Sequence, residues 1–345
     1  MIEYVLPLRW RDDDGLADLT AYLALLRRWA DVTVVDGSDR ERFAAHAAAW
    51  AGLVRHLRVD GDQGRNGKVR GVLTGIAIAR HEQIVIADDD VRYDRASLDA
   101  VVSDLAFASL VKPQNHFTPL PWHARWDTGR SLLNRAIASD YPGTYAVRRS
   151  AMRHIGDYDA DVLFENLELE RTIRASGGVV SDRPDIYVAR RPPTVRHFLS
   201  QRVRQAYDSF AQPRRLLVEA AVLPTAWSLR RRPATLALLA LGIIAMAERG
   251  RRRAGGRAVF PASSALWAPF WVCERAVCVW CAIGARLRGG VSYGGQRMPV
   301  ARPFAATARR AVRDRGRPAR DMTARRCRRG RSCCRFITAQ VNVIR

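Results

Sequence analysis

Three consecutive aspartates, Asp88-Asp89-Asp90, directly follow the apolar run Ile84-Val85-Ile86-Ala87. Adjacent carboxylates repel one another, so at the end of a buried strand they must be solvated, hydrogen-bonded or neutralised by a cation. Their hard oxygens suit Mg2+ or Mn2+, ions that keep several waters and take further ligands from substrate phosphates. Asp88 and Asp90 are therefore candidate ligands for a metal that carries a diphosphate. Asp36 closes a second β-branched run, Val32-Thr33-Val34-Val35, and stands at the same kind of strand end. Asn66-Gly67-Lys68 opens a helical stretch, and a glycine turn with a lysine at a helix N-terminus favours phosphate. Further on, Glu165 and Glu168 are spaced i to i+3 and share one helical face, while Glu170 and Arg174 have the i,i+4 spacing of a solvated pair. Arg202 and Arg204 diverge at i and i+2; one guanidinium fork is free to reach a pyrophosphate and the other to meet lipid headgroups.

The elements that position these groups alternate along the first two-thirds of the chain. Tyr4 to Leu8 reads as a strand, Leu16 to Trp29 as a helix, and Val32 to Val35 as a strand ending in the turn formers Asp36-Gly37-Ser38-Asp39. A helix over about Gly67 to Arg80 leads into the strand Gln83 to Ala87. Such alternation predicts an α/β fold with a largely parallel, doubly wound sheet, and ligands of such sheets bind beyond the carboxyl ends of the strands.

The chain has 345 residues and a formal charge of +23, yet its only lysines are Lys68 and Lys112. Fourteen arginines against two aspartates fall between Arg302 and Arg345, which reads as a solvated, disordered basic tail suited to anionic lipid; no nucleic-acid partner is expected. The six cysteines lie late; Cys278-Val-Trp-Cys281 has metal-site spacing but sits in an apolar run and reads as packing. No N-terminal signal peptide is visible before the strand-like first segment, so the first two-thirds are expected in the cytosol. After Gln212-Pro213 the character changes. Leu216 to Trp227, Ala234 to Ala247 and Ala258 to Leu287 are apolar, the last interrupted by Glu274-Arg275. The first two fall short of the ~20 residues of a spanning helix and suit a hairpin or interfacial pair. Arg230 to Arg232 and Arg249 to Arg253 flank them, as in cytoplasmic-side anchoring.

In this order and spacing, Val34-Val35-Asp36-Gly37-Ser38, Asn66-Gly67-Lys68-Val69-Arg70-Gly71-Val72, Ala87-Asp88-Asp89-Asp90, Phe164-Glu165-Asn166-Leu167-Glu168-Leu169 and Gln201-Arg202-Val203-Arg204 resemble a family-2 glycosyltransferase with the GT-A fold, inverting and membrane-associated. The resemblance covers about residues 2 to 210. It implies a catalytic domain over 1–212, membrane-associated hydrophobic helices over 213–300 and the basic tail over 301–345. The implied activity is of the hexosyltransferase type, belonging to cell-envelope chemistry. A sugar moves from a nucleoside-diphosphate donor, UDP-type favoured, to a lipid-linked or glycan acceptor at the cytoplasmic face of the membrane, with Mn2+ or Mg2+.

The resemblance also distributes roles. Asp36 recognises the base. Asn66, Lys68, Asp88, Asp89, Gly143 in Pro142-Gly143-Thr144, Gln201 and Arg204 surround the nucleotide-sugar, and Asp88 and Asp90 hold the metal. The family's base is an aspartate, but Asn166 stands there, and an amide is no proton acceptor of that kind. Glu165 comes first in its place and Glu168, one turn along, second. Gln205 replaces the tryptophan that supports a growing polymer in processive members. Trp122, His123, Trp126 and Asp127 form an aromatic and polar cluster suited to an acceptor sugar. Two other readings of the residues are a nucleotidyltransferase, disfavoured by Arg9-Trp10-Arg11-Asp12-Asp13-Asp14 where a Gly-rich loop belongs, and a catalytically inactive sugar-nucleotide-binding scaffold, suggested by Asn166.

Overall fold

The computed structural model describes residues 1–60, 66–156, 161, 163–293 and 296–298. The basic run from residue 301 and the cysteines Cys327, Cys333 and Cys334 lie outside the described residues. The strands are β1 (Ile2–Leu8), β2 (Asp31–Asp36), β3 (Arg55–Arg58), β4 (Gln83–Ala87), β5 (Val91–Arg92), β6 (Leu110–Phe117), β7 (Thr144–Arg148) and β8 (Val180–Arg190). They form one eight-stranded sheet in the order β3-β2-β1-β4-β7-β6-β8-β5. The helices around it are α1 (Leu16–Leu26), α2 (Arg40–Ala49), α3 (Gly67–Ile78), α4 (Arg95–Asp104), α5 (Trp122–Ile137), α6 (Arg149–Ile155) and α7 (Glu165–Ala175). The chain continues through α8 (Val195–Ser200), α9 (Arg202–Tyr207), α10 (Pro213–Ser228), α11 (Pro233–Arg252) and α12 (Ala268–Leu287).

Helices cover both faces of the sheet, as a doubly wound pattern requires. Because side chains alternate along a strand, Tyr4, Leu6 and Leu8 of β1 pack with Leu19, Leu23 and Leu98 of α1 and α4. Val5 points the other way, with Val69 and Val72 of α3, Met152 of α6 and Ile173 of α7. The sheet is mixed, however, where a largely parallel one was expected. The strands β3, β2, β1 and β4 are parallel neighbours, whereas β7 runs antiparallel to both β4 and β6, and β5 antiparallel to β8. The reason lies in α5. It packs on the C-terminal helices instead of crossing back over the sheet, so β7 starts at the end where β6 finished and runs back between β4 and β6. That reversal sets the start of β7, Thr144, opposite Ala87 at the end of β4.

Helix starts on the ligand side are fixed by short polar side chains, which satisfy otherwise orphaned N–H groups. The Asp39 carboxylate accepts from Arg42 N (3.0 Å), and Asn66 Oδ1 accepts from Lys68 N (3.0 Å) and Val69 N (3.4 Å). Two helices stop short of the expected ends, α1 at Leu26 and α3 at Ile78.

Helices α11 and α12 dock on α5, and α10 packs on α12. A Cβ at Gly250 would lie 1.9 Å from the Leu132 carbonyl oxygen, so α11 approaches α5 at backbone contact. Arg135 of α5 is fully buried and donates to Gly250 O (3.1 Å), Gln114 Oε1 (3.0 Å) and Tyr187 Oη (2.7 Å). Glu274-Arg275, expected as an interruption, lies inside the continuous helix α12; Glu274 Oε2 accepts from Trp126 Nε1 (3.0 Å), and Arg275 is buried. The stretches Pro233–Ala258 and Ala262–Leu287 are each long and apolar enough to cross a membrane, where the sequence suggested a shorter run over Ala234 to Ala247 and a region broken at Glu274-Arg275. Leu217, Trp227, Leu238 and Leu241 of α10 and α11 are exposed.

Candidate active site

The acidic triplet lies where β4 ends, and its backbone is tied across the sheet. Asp88 N–H donates to Gly143 O (2.9 Å), and Gly143 N–H donates to Asn115 Oδ1 (2.7 Å). A Cβ at Gly143 would stand 2.6 Å from Asp88 Oδ2, so any larger residue here would push the carboxylate aside. The three side chains separate. Asp88 Oδ1 receives Lys68 Nζ at 2.6 Å, Asp90 Oδ2 receives Arg190 Nε at 2.7 Å, and Asp89 accepts the indole N–H of Trp10. Asp90 Oδ1 is buried and has no hydrogen-bond partner. Burial, with Asp88 and Asp89 adding to it against the pull of Arg190, pushes the Asp90 carboxyl up to about 6.

Lys68 joins the triplet to α7. Its Nζ is also 2.8 Å from Glu165 Oε1; burial works against its charge, but Asp88 and Glu165 together raise its pKa. Asn166, where a carboxylate was expected, donates from Nδ2 to the Pro142 carbonyl (3.0 Å). An amide can make that bond and a carboxylate cannot, so Asn166 holds the loop that carries Gly143. Glu168 is buried on the same helix.

Arg202 and Arg204 diverge. Arg202 is buried, and its Nη1 and Nη2 lie 2.7 and 3.2 Å from the two Asp127 oxygens. Arg204 acts on the opposite side, where it opposes protonation of Asp208 and, after burial, depresses the His197 pKa. Burial pushes the Asp208 carboxyl up to about 7 against Arg204, with Glu165 adding to the rise. Gln201 pairs with His197 one turn before it. The aromatic cluster is divided in role: His123 Nε2 bonds Pro193 O (2.8 Å), Trp126 bonds α12, and Asp127 is taken up by Arg202, while Trp122 is exposed.

Asp36 has no exposed surface. Its Oδ1 accepts from Ser38 N (2.8 Å), and its Oδ2 lies 2.7 Å from His46 Nδ1 and 3.1 Å from His56 Nε2. Sequence reasoning missed Arg190, Trp10, Asn115, His197 and Asp208. Asp208 had a local signal, standing i+4 from Arg204; Arg190 had none, since it meets Asp90 across 100 residues.

No family model matches the sequence, and no curated protein matches it. Among solved structures, a mannosyltransferase from Pyrobaculum calidifontis in complex with GDP-Man and Mn2+ is similar at 18% identity, over 94% of this chain and 84% of that one, with a TM-score of 0.46. The glucosyl-3-phosphoglycerate synthase of Mycobacterium tuberculosis in complex with Mn2+ and UDP-glucose is similar at 17% identity, over 60% of this chain and 77% of that one, with a TM-score of 0.41. A mycobacterial protein is similar at 19% identity, over 60% and 72% of the two chains, with a TM-score of 0.42. At such low similarity, what the site does has to be read from this chain's own residues.

Proposed function

We propose that the chain is an inverting glycosyltransferase of the GT-A type. It moves a sugar from a nucleoside-diphosphate donor, UDP-type favoured, to a lipid-linked or glycan acceptor at a cytoplasmic membrane face. One observation carries this reading: Lys68 bridges Asp88 and Glu165 within 2.8 Å, so the acidic triplet and the carboxylate at the start of α7 form one site. The donor set fits Mn2+ or Mg2+. Asp88 and Asp90 offer carboxylate oxygens, and the buried, unpartnered Asp90 Oδ1 is an acceptor awaiting a cation. A bound divalent ion would neutralise charge on the leaving diphosphate.

The chain's own residues supply the rest. Lys68 and Arg204 face the diphosphate, and Arg190 keeps Asp90 in place. Asp89 holds the first loop through Trp10. Glu165 takes the proton of the acceptor hydroxyl as that oxygen attacks the anomeric carbon. Its Lys68 partner is shared with Asp88, so a diphosphate that draws Lys68 away leaves Glu165 free as base. Glu168, buried one turn along, supports α7, and Gly143 leaves room for the sugar. Asp36, fully engaged, shapes the Ser38 turn beside the base instead of contacting it from an exposed edge. Trp122 is the member of its cluster placed for an acceptor sugar.

Residues 1–212 form the catalytic unit in this reading and 213–300 the membrane-facing one, with 301–345 a basic extension. The exposed apolar side chains of α10 and α11 beside Arg230 to Arg232 suit an anionic bilayer surface. Nucleotide release from a panel of UDP- and GDP-sugars with Mn2+, with and without membrane lipid extract, tests the activity. Donor binding without turnover in every combination would favour an inactive scaffold.

A further inference from the structure

We infer that Asp36, His46 and His56 form a second cation site, for a transition metal of the Zn2+ type, separate from the acidic triplet. The three residues come from the end of β2, from α2 and from β3, and their ligand atoms lie within 4.8 Å of one another. His46 Nδ1 and His56 Nε2 converge on the same oxygen, Asp36 Oδ2, at 2.7 and 3.1 Å.

The arrangement around His46 calls for positive charge, carried by an imidazolium or by a bound metal. Its second nitrogen, Nε2, lies 3.2 Å from Asp13 Oδ1, so both ring nitrogens face carboxylate oxygens. A neutral imidazole has one N–H and satisfies only one of them, whereas an imidazolium donates to both. A metal at Nδ1 meets the same demand with a neutral ring: Nε2–H then donates to Asp13, the outer carboxylate that metal-bound histidines commonly have. Zn–N and Zn–O bonds of ~2.0–2.2 Å set tetrahedral ligands roughly 3.3 Å apart, so binding needs the two contacts to widen by roughly 0.6 and 0.2 Å. Two imidazoles and a carboxylate suit Zn2+ better than Mg2+ or Ca2+.

The pocket is built for rigid rings. His46 and Asp36 are fully buried; Trp50 stacks on His46 at 4.9 Å between ring centroids, and Phe43 on His56 at 4.4 Å. Trp10 packs edge-on against His46 at 5.5 Å and donates its indole N–H to Asp89. A cation here is therefore one side chain away from the triplet.

The test uses the full chain, stripped with chelator and titrated with Co2+ as a spectroscopic probe, followed by Zn2+ competition. One equivalent giving tetrahedral visible absorption, displaced by Zn2+, is expected for the wild type and for Asp90→Ala. His46→Gln and His56→Gln are expected to lose that absorption while Mn2+ still binds at the triplet, read by electron paramagnetic resonance. Asp13→Asn is expected to weaken Co2+ binding roughly 10–100-fold, the usual effect of losing an outer partner. Should a histidine variant fail to fold by circular dichroism, Asp13→Asn decides. Absence of the absorption in the wild type, its persistence in folded histidine variants, unchanged affinity in Asp13→Asn, or its loss in Asp90→Ala would overturn the assignment. The Asp90→Ala arm separates failure here from failure of the triplet.

Discussion

Glu165 and Asn166 are neighbours with opposite duties. One carboxylate faces Lys68 and the site, while the amide faces the Pro142 carbonyl. Glu165→Gln keeps the shape and removes the proton acceptor. Its kcat is expected to fall about 10²–10⁴-fold with donor affinity nearly unchanged, by steady-state kinetics and donor titration. Asn166→Asp tests the other duty. It sets a carboxylate against a carbonyl, and a loss of roughly 1–3 kcal/mol in stability is expected from denaturant unfolding, with no gain in turnover. Asp208 bears on pH. Its carboxyl sits near 7 in the folded protein, against about 3.9 in an unfolded chain. Between those values the folded state binds a proton that the unfolded state has lost, so this group's contribution falls as pH rises and levels off above about 7. Asp208→Asn should therefore raise the melting temperature at pH 8 and change it little at pH 4; a larger gain at pH 4 would contradict the sign.

At the scale of elements, what sequence could and could not reveal separates by the range of the contact. The strand end before Asp88, the Asn66 turn and the divergence of Arg202 from Arg204 are local patterns, and they were legible. The direction of β7 was not, because periodicity fixes which face a residue takes but not which way a strand runs. Glu274-Arg275 misled for a similar reason. Hydropathy counts the pair as an interruption, but Trp126 and Arg202 from distant elements bond Glu274 Oε2 inside α12. Asp36 was placed correctly at a strand end, yet nothing local showed that two histidines would enclose it. The docking of α11 on α5 rests on Gly250, again without a sequence signal. Gly250→Ala forces a methyl into the Leu132 carbonyl, and a destabilisation of about 1–3 kcal/mol is expected from thermal unfolding in detergent.

At the scale of the molecule, α11 and α12 are bound to α5 and α10 to α12, while α10 and α11 expose leucines and a tryptophan beside a run of arginines. Flotation with phosphatidylglycerol vesicles is expected to carry the full chain upward. Replacing Arg230, Arg231 and Arg232 by glutamine should weaken binding by roughly 1 kcal/mol per residue at low salt. An equal partition for both chains would remove these arginines from membrane contact. The central claim is that the triplet at the end of β4 is the metal and diphosphate site of a sugar transfer. It is tested most directly by Mn2+-dependent nucleotide release from the donor that the panel identifies, comparing wild type with Asp90→Ala. The expected result is metal-dependent release in the wild type and a loss of about 10²-fold or more in the variant. Release of equal rate from the two proteins, or a wild-type rate indifferent to chelation, would contradict it.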